Sequence, residues 1–253
     1  MQKAVFIMKS LLFLFGISFC VAENIFAETN AAQLVRDADG YRGYLNSAFT
    51  ATLEVTSIVP EKEPRSNRLA LSVKGLDSLV KFEAPARDKG KAMLFKHREL
   101  WFHAPRTKRL IRLTPAQRLL GEASNGDVAG TRFADDYEAE LSRRETVNDT
   151  PCFVLDLKAV DRKVTYARIR YWVSEKGHRP VRSEHFAISG KLLKTAEYTK
   201  FTVVTDDAVP KLAKLIIHNP LKTGQRTILV YSNWKKQELS SSLFQKNYLK
   251  RLR

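Results

Sequence analysis

Apolar and polar residues alternate over most of this chain, which is the pattern of β-strands that bury one face. In Phe49–Ile58 (FTATLEVTSI), positions 49 to 55 are apolar at every odd number, and the even numbers between hold threonine or glutamate. Asn67–Lys74 and Thr165–Ser174 repeat this period of two. Clusters of Gly, Pro, Asn and Asp separate the alternating stretches. The pattern therefore predicts a single domain of short strands joined by turns.

The chain reads as about eleven antiparallel strands, with a helix predicted near each end. The first helix is expected over Asn30–Leu45 and the second over Ser240–Arg251. Between the strands lies a long connection, Thr114–Phe133, with a short helix predicted at Ala116–Leu120. Long ordered connections are usually lids or binding loops. The fold class is therefore mainly β (α+β). Because so large a sheet must curl, an unclosed barrel covered by helices would leave an apolar concavity.

The N-terminus has the features of a secretory signal. Lys3 and Lys9 precede Ser10–Ala22 (SLLFLFGISFCVA), an uncharged apolar stretch of 13 residues. That length suits a signal peptide, whereas a membrane span needs about 20 residues. We expect cleavage after Ala22, with Ala27 as the alternative end, and hence a periplasmic protein. An uncleaved anchor and a lipidated Cys20 are the other interpretations.

The charge composition limits the kinds of partner that the chain is expected to bind. The chain has 43 Lys and Arg against 27 Asp and Glu, a formal charge of +16. Cleavage after Ala22 would remove two lysines and no acid, which leaves +14. A basic excess attracts anionic partners such as a membrane surface, and export disfavours nucleic acid as a partner. Cys152 would be the lone cysteine after cleavage and is expected to be a buried thiol without a disulfide.

The sequence offers little support for catalysis. Its five histidines form no metal motif of the H-x-H or H-E-x-x-H kind, and the chain has no nucleotide-binding fingerprint. His97, Glu99 and His103 lie near one predicted hairpin, so a metal site or hydrolase there is an alternative. We expect no enzyme activity, no cofactor and no metal.

An ordered series of short motifs resembles the outer-membrane lipoprotein-sorting protein family, relatives of the LolA and LolB carriers. The series consists of Leu79–Pro85 (LVKFEAP), Gly90–Leu94 (GKAML), Leu100–Phe102 (LWF) with Ala104-Pro105, and Arg109–Leu113 (RLIRL). The following loop, Gly130–Tyr137 (GTRFADDY), keeps the glycine, phenylalanine and aspartate of the family pattern. It departs from that pattern at Thr131-Arg132, where the family has Ser-Asp.

The resemblance implies an unclosed antiparallel β-barrel whose helices lie across the mouth of an apolar, lipid-binding cavity. It implies a single LolA-like domain over residues 28–253. Gly130, Phe133 and Asp135 would belong to the lid loop. Strand parity supplies the residues predicted to line the cavity, which are Leu53, Val55, Leu71, Val73, Val80, Phe82, Leu94, Phe102, Phe153, Leu155, Ile169, Tyr171, Phe201 and Val203.

The family's role implies a monomeric periplasmic carrier that moves lipoproteins or other lipids toward the outer membrane. Because each buried methylene is worth about 0.8 kcal/mol, shielding a long acyl chain from water requires such a cavity. An inner-membrane transporter would be the partner that loads it. The alternative is a sensor or adaptor on the same fold, similar to the periplasmic stress regulator RseB, which would bind a protein instead.

Overall fold

The computed structural model describes residues 30–43, 48–105, 109–130, 132–205 and 207–252. The strands in these ranges are β1 (Phe49–Ile58), β2 (Arg65–Lys74), β3 (Asp77–Ala84), β4 (Ala92–Lys96), β5 (Glu99–His103), β6 (Leu110–Leu113), β7 (Arg118–Leu120), β8 (Ala123–Ser124), β9 (Tyr137–Val147), β10 (Thr150–Ala159), β11 (Arg168–Ser174), β12 (Pro180–Phe186), β13 (Leu192–Thr202), β14 (Lys211–His218) and β15 (Arg226–Lys236). The helices are α1 (Ala31–Tyr41), α2 (Asn125–Ala129), α3 (Phe133–Asp136) and α4 (Lys246–Arg251), with a 3-10 helix at Ser241–Phe244.

Thirteen of the strands form one antiparallel sheet, and β7 and β8 form a separate two-stranded hairpin. The order in the large sheet is β6-β5-β4-β3-β2-β1-β15-β14-β13-β12-β11-β10-β9. Within β1–β6 and within β9–β15, strands that follow one another in sequence are paired, and the β1–β15 pair joins the two halves of the chain. Because β6 and β9 are both edges, the sheet curls without closing. The predicted class, a mainly β unclosed barrel with helices, is confirmed.

The alternation of the sequence matches the burial of the side chains. In β1 the odd-numbered positions from Phe49 to Val55 are buried, and the residues between them are more exposed. The register pairs Leu53 with Leu69 of β2, so apolar residues of adjacent strands share one face. Apolar residues of β1 to β5, of β9 to β11 and of β13 to β15 meet in the main core on the concave side of the sheet.

Helix α1 lies against the concave side and contacts α3, β9, β11 and β14. Its N-cap is Asn30, whose side chain accepts a hydrogen bond from the Gln33 amide at 3.2 Å. Leu34, Val35 and Ala38 form its buried face. The predicted helix is therefore confirmed over Ala31–Tyr41, and positions 44–45 lie outside the described residues.

The connection between the two edges of the sheet is called here the middle segment (residues 114–130 and 132–136). It carries the β7–β8 hairpin, α2 and α3. Ala123, Val128 and Phe133 enter the main core, so the segment fills the concavity. The helix predicted at Ala116–Leu120 is wrong. Leu120 instead pairs with Ala123 in the β7–β8 hairpin, because tertiary contacts outweigh local helix preference.

The convex side of β3 to β5 is covered by residues 239–252, called here the C-terminal segment. Phe244 and Leu249 are buried in a second cluster with Leu79, Ala92 and Leu94. The ammonium group of Lys96 donates to the carbonyl of Phe244 at 3.0 Å and so caps the end of the 3-10 helix. The helix predicted from Ser240 is thus two shorter helices.

The structure also bears on other predictions made from the sequence, and one of them concerns residues outside the described ranges. The large sheet has thirteen strands where about eleven were predicted. The sequence predicts the β4–β5 turn at Arg98-Glu99, but the turn lies one residue earlier, at His97 and Arg98, both of which have positive φ. Cys152 is a free, buried thiol, and burial raises its pKa above the ordinary value. The signal sequence, including Lys3, Lys9 and Cys20, lies outside the described residues.

Candidate functional site

The concave side of the sheet holds two cavities of different character. The first, called here the apolar groove, has a volume of about 430 Å³ and lies between β3–β6 and the middle segment. Phe82, Met93, Phe102, Leu113 and Leu119 supply its apolar surface. The rings of Phe82 and Phe102 meet edge to face, with centroids 6.5 Å apart. This size is within the usual range of small-ligand pockets, about 300–1,000 Å³.

Polar side chains line the rim of the apolar groove. Asp88 accepts hydrogen bonds from Lys91 at 2.5 Å and from the Asn67 amide at 3.2 Å. The hydrogen bond from Lys91 lowers the pKa of the Asp88 carboxyl. The exposed Gln117 and Arg118 complete the rim, whereas Asn125, which also lines the groove, is buried. A ligand in the groove would therefore meet apolar walls below and polar groups at the opening.

The second cavity, called here the polar pocket, lies on the concave face of β12 to β15 and has a volume of about 30 Å³. Its charged and polar lining consists of Arg42, Asp127, His185, Lys194 and Tyr198. The remaining walls are apolar or aromatic. A buried pocket that contains this many ionisable groups is unusual and requires that they satisfy one another.

A hydrogen-bonded network surrounds the polar pocket. The Lys194 ammonium group forms an ion pair with the Asp127 carboxylate, and both side chains are at most 10% exposed. The Tyr166 hydroxyl donates to Asp127 at 2.9 Å, and Ser183 Oγ lies 2.9 Å from His185 Nε2. Burial is the largest influence on the Asp127 carboxyl and by itself would raise its pKa, but the Lys194 charge and the hydrogen bonds from Lys194 and the Ser124 amide together outweigh burial and lower that pKa. Burial lowers the pKa of Lys194, but the Asp127 carboxylate in contact with its ammonium group opposes that effect, so the two side chains form an ion pair.

Helix α2 separates the two cavities. Asn125, its first residue, lines the apolar groove, and Asp127, two residues later, lines the polar pocket. A capping box between Ser124 and Asp127 fixes the start of the helix. Gly126 is required here, because a Cβ at this position would lie 2.3 Å from Thr165 Oγ1. The five-residue helix is thus held as a partition between the groove and the pocket.

Helices α1 and α3 cover the mouth of the barrel together. Asp39 of α1 accepts a hydrogen bond from the Ala134 amide at 2.9 Å and pairs with Arg42 at 2.8 Å. The Arg42 guanidinium lies 4.0 Å from the centroid of the Phe133 ring. Burial raises the pKa of Asp39 despite the charge of Arg42. Phe133, which was predicted to belong to the lid loop, therefore lies in the core where α1 and α3 meet.

A third cavity of about 330 Å³ lies beside α3. Gly130 and Asp135, the other predicted lid residues, line it together with Phe95 and Arg98. Arg98 pairs with Asp136 at 2.9 Å and so joins the β4–β5 turn to α3. This contact places the β4–β5 turn beside the start of β9, one of the two edge strands.

The residues predicted to line a cavity fall in several places. Phe82 and Phe102 line the apolar groove, and Phe201 is partly buried beside the main core. Val73 is buried in a small cluster with Phe49 and Ala51. The remainder are buried in the main core, namely Leu53, Val55, Leu71, Val80, Phe153, Leu155, Ile169 and Tyr171.

Two of these predicted residues do not face the interior. Leu94 lies on the convex side beneath the C-terminal segment, because its neighbours Met93 and Phe95 take the concave positions of β4. A shift of one residue in strand parity exchanges the two faces. Val203 follows the end of β13 and is 81% exposed.

Sequence reasoning missed the residues that distinguish the site. In β4 the prediction placed Leu94 in the cavity, whereas its odd-numbered neighbour Met93 lines the groove. Lys194 shares its strand face with the buried Ala196 and Tyr198, so a lysine at an apolar position was the available signal. Asp127 gave no comparable signal, because its role depends on a contact across 67 residues.

The alternative metal site is not assembled. His97 lies in the turn before β5, whereas His103 ends that strand and is hydrogen-bonded to the Leu252 carbonyl at 3.2 Å. Within the described ranges, no group of three or more His, Cys, Asp or Glu side chains could hold a metal ion. In the same part of the chain, no helix has the length and apolar character needed to cross a bilayer.

An unclosed antiparallel barrel with an apolar groove under short helices defines a class of lipoprotein-binding carrier folds. A LolA superfamily protein from Nitrosomonas europaea is 33% identical to this chain, with a TM-score of 0.80. The match covers 86% of this chain and 98% of that one. This chain therefore belongs to the LolA superfamily, and the resemblance found in the sequence is confirmed.

Other comparisons support the same fold. A putative outer membrane lipoprotein-sorting protein domain from Vibrio parahaemolyticus is 22% identical, with a TM-score of 0.75, and covers 87% of this chain and 98% of its own. A DUF1329 family protein from Desulfovibrio piger is 18% identical, with a TM-score of 0.73, over 87% of this chain and 97% of its own. A family model described as "Uncharacterized protein" matches residues 75–251. No curated protein sequence matches the chain.

Proposed function

We propose that this protein is a periplasmic carrier that shields the acyl chains of lipoproteins or lipids on the concave side of its sheet. The observation that carries the proposal is the apolar groove of about 430 Å³ under the middle segment. Membership of the LolA superfamily supports it, since the fold is that of a carrier. Residues 28–253 would form the carrier domain, after removal of a signal peptide that ends at Ala22 or Ala27.

The physical task of such a carrier is to offset the exposure of an acyl chain to water. Each methylene removed from water contributes about 0.8 kcal/mol, so a chain of ordinary length gains roughly 10 kcal/mol in a fully apolar site. The Phe82 and Phe102 rings and the Met93 side chain supply the apolar part of the groove, and polar side chains supply the rest of its lining. The polar rim would remain in contact with solvent and with the ligand's polar end.

The proposal needs a movable cover, because the groove is bounded by the middle segment. Helices α2 and α3 are short, and Gly130 between them adopts a left-handed conformation with φ of 101°. Such a glycine permits a change of chain direction without a steric cost from Cβ. Movement of α2 and α3 about this position would enlarge the groove toward the rest of the concavity.

Native mass spectrometry of the protein purified from periplasm, followed by lipid extraction, tests the proposal. We expect a co-purified acyl lipid or lipoprotein in the wild type. Leu113→Trp would fill the groove from a partly buried position and should reduce the bound fraction severalfold. Leu221→Trp is the control, since Leu221 is 70% exposed in the β14–β15 turn.

An empty wild-type protein that also fails to bind a fluorescent fatty acid would contradict the carrier function. A stable complex with a periplasmic protein in the same preparation would then favour the adaptor alternative. Equal lipid occupancy in Leu113→Trp and wild type would place the acyl chain outside the apolar groove.

A further inference from the structure

Lys194 is a cation buried on the concave face of a strand that is otherwise suited to apolar contacts. Its side chain is 5% exposed, and it shares its face of β13 with Ala196 and Tyr198. The ammonium group contacts the Asp127 carboxylate, lies 4.6 Å from the Tyr166 ring and is 3.5 Å from the Glu122 carbonyl. In the part of the chain that the structure describes, Asp127 is the only carboxylate paired with it.

Glu122, the other acidic residue near Lys194, is hydrogen-bonded to other side chains. The Glu122 carboxylate accepts hydrogen bonds from Gln225 at 2.6 Å and from Asn219 at 3.1 Å. These partners lie on the β14–β15 turn and hold Glu122 away from the polar pocket. The charge of Lys194 therefore depends on Asp127, a residue of the middle segment and not of the sheet.

Because Asp127 lies on α2, a movement of this helix would change both the pairing of the Lys194 charge and the access of a ligand to the groove. Because α2 is the partition between the apolar groove and the polar pocket, its withdrawal would join the two cavities. The same movement would remove Asp127 from Lys194. A buried cation would then be left without an anion, which is strongly unfavourable unless the ligand supplies one. Arg42 and His185 also line the pocket and add no negative charge.

We propose that Lys194 recognises the anionic headgroup of a lipid, and that Asp127 occupies the place of that headgroup in the lipid-free protein. The acyl chains would lie in the apolar groove and the phosphate or carboxylate would pair with Lys194. The inference rests on the proposed carrier function and narrows its ligand to anionic lipids. The polar pocket and the apolar groove lie on the two sides of α2, and they match the charged headgroup and the acyl chains of such a molecule.

The test compares lipids with and without an anionic headgroup. Purified protein is equilibrated with vesicles containing labelled phosphatidylglycerol or diacylglycerol of the same chain length, and the extracted lipid is measured. Oleate forms a third arm, which separates recognition of a carboxylate from recognition of a phosphodiester. We expect wild type to prefer the anionic lipids by about tenfold or more, as charged hydrogen bonds allow.

Three variants test whether Lys194 and Asp127 cause the preference for anionic lipids. Asp127→Asn keeps the shape of the side chain but frees Lys194, and should increase extraction of anionic lipid severalfold. Asp127→Asn combined with Lys194→Met removes both charges, which avoids an unpaired buried ion, and should extract all lipids equally. Lys96→Met is the control, because Lys96 is partly buried and paired with Asp77 on the convex side. It should behave as wild type.

The outcomes separate the two proposals. If no lipid of any charge is extracted, the carrier function itself fails. If wild type extracts neutral and anionic lipids equally, or if the double variant retains the preference, the carrier stands and the role of Lys194 is overturned. Loss of preference in the double variant alone, with retained extraction of diacylglycerol, supports the inference.

Discussion

The interior of this protein is unusual at the residue scale, because ionisable side chains occupy positions that strand patterning reserves for apolar ones. Lys194 and His185, both on strands, are buried around one small pocket, and the side chain of Asp127 on α2, which lines the same pocket, is 10% exposed. A buried charge is tolerated only when it is paired and hydrogen-bonded. The Asp127–Lys194 ion pair and the Tyr166 hydroxyl meet that requirement.

The first prediction concerns this pair. Asp127→Ala and Lys194→Met should each lower the free energy of unfolding by about 3–5 kcal/mol, since each leaves one buried charge without its partner. The double variant should cost less than either single variant. Urea denaturation at neutral pH measures all three. Simple addition of the two single effects would show that the pair does not interact in this way.

The second prediction concerns pH. Burial, helped by the charge of Lys194, lowers the pKa of His185 from 6.5 to about 3. Between these values the unfolded chain binds a proton at this site and the folded protein does not, so stability rises with pH. Below pH 6.5 the protein should lose about 1.4 kcal/mol per pH unit from this group.

The His185→Asn variant isolates that contribution. Asn can keep a hydrogen bond to Ser183 but does not titrate, so the variant should lose less stability than wild type between pH 7 and pH 5. The expected difference is about 2 kcal/mol. Urea titrations of both proteins at both pH values provide the measurement. Identical pH dependence would mean that the pKa of His185 is the same in the folded and unfolded states.

The elements of the fold differ in how far local sequence determines them. Strands such as β1 follow from alternation alone, because one face meets the core and the other meets solvent. The middle segment does not follow from local pattern, since β7 and β8 depend on contacts with other strands. The Glu122 amide, for example, donates to Thr227 Oγ1 of β15 at 2.7 Å.

The C-terminal segment gives an element-scale prediction. Phe244 is 1% exposed and fills the cluster over β3 and β4, so Phe244→Ala should destabilise the protein by about 3–5 kcal/mol. Ile188→Ala is the control, because Ile188 is 88% exposed, and it should change stability by less than about 0.5 kcal/mol. Thermal or urea unfolding measures both. A small effect of Phe244→Ala would show that the segment is not integral to the fold.

The charge of the whole molecule supports one further prediction. The formal charge is +16, or +14 without the expected signal peptide. We expect the mature protein to associate with vesicles rich in anionic lipid, and this association should weaken as salt shortens the Debye length from about 10 Å at 0.1 M to about 3 Å at 1 M. Co-sedimentation with anionic and neutral vesicles tests it. Association that is insensitive to salt would exclude an electrostatic origin.

The sequence by itself determined the strand-rich fold, the helix after Asn30 and the family, because these depend on local alternation, capping and ordered motifs. It also supplied Phe82 and Phe102, whose parity in β3 and β5 was read correctly. Leu94 was placed on the wrong face, because a short buried strand such as β4 is apolar on both sides and its parity carries no local signal.

Only the tertiary structure decided which cavities exist and what divides them. The pairing of β1 with β15 brings distant halves of the chain into one concave face, and α2 is then placed between an apolar groove and a polar pocket. Asp127 meets Lys194 across 67 residues, and such a contact has no trace in local pattern. The physical reason is that burial and charge pairing are properties of the assembled interior, whereas alternation and capping are properties of neighbouring residues.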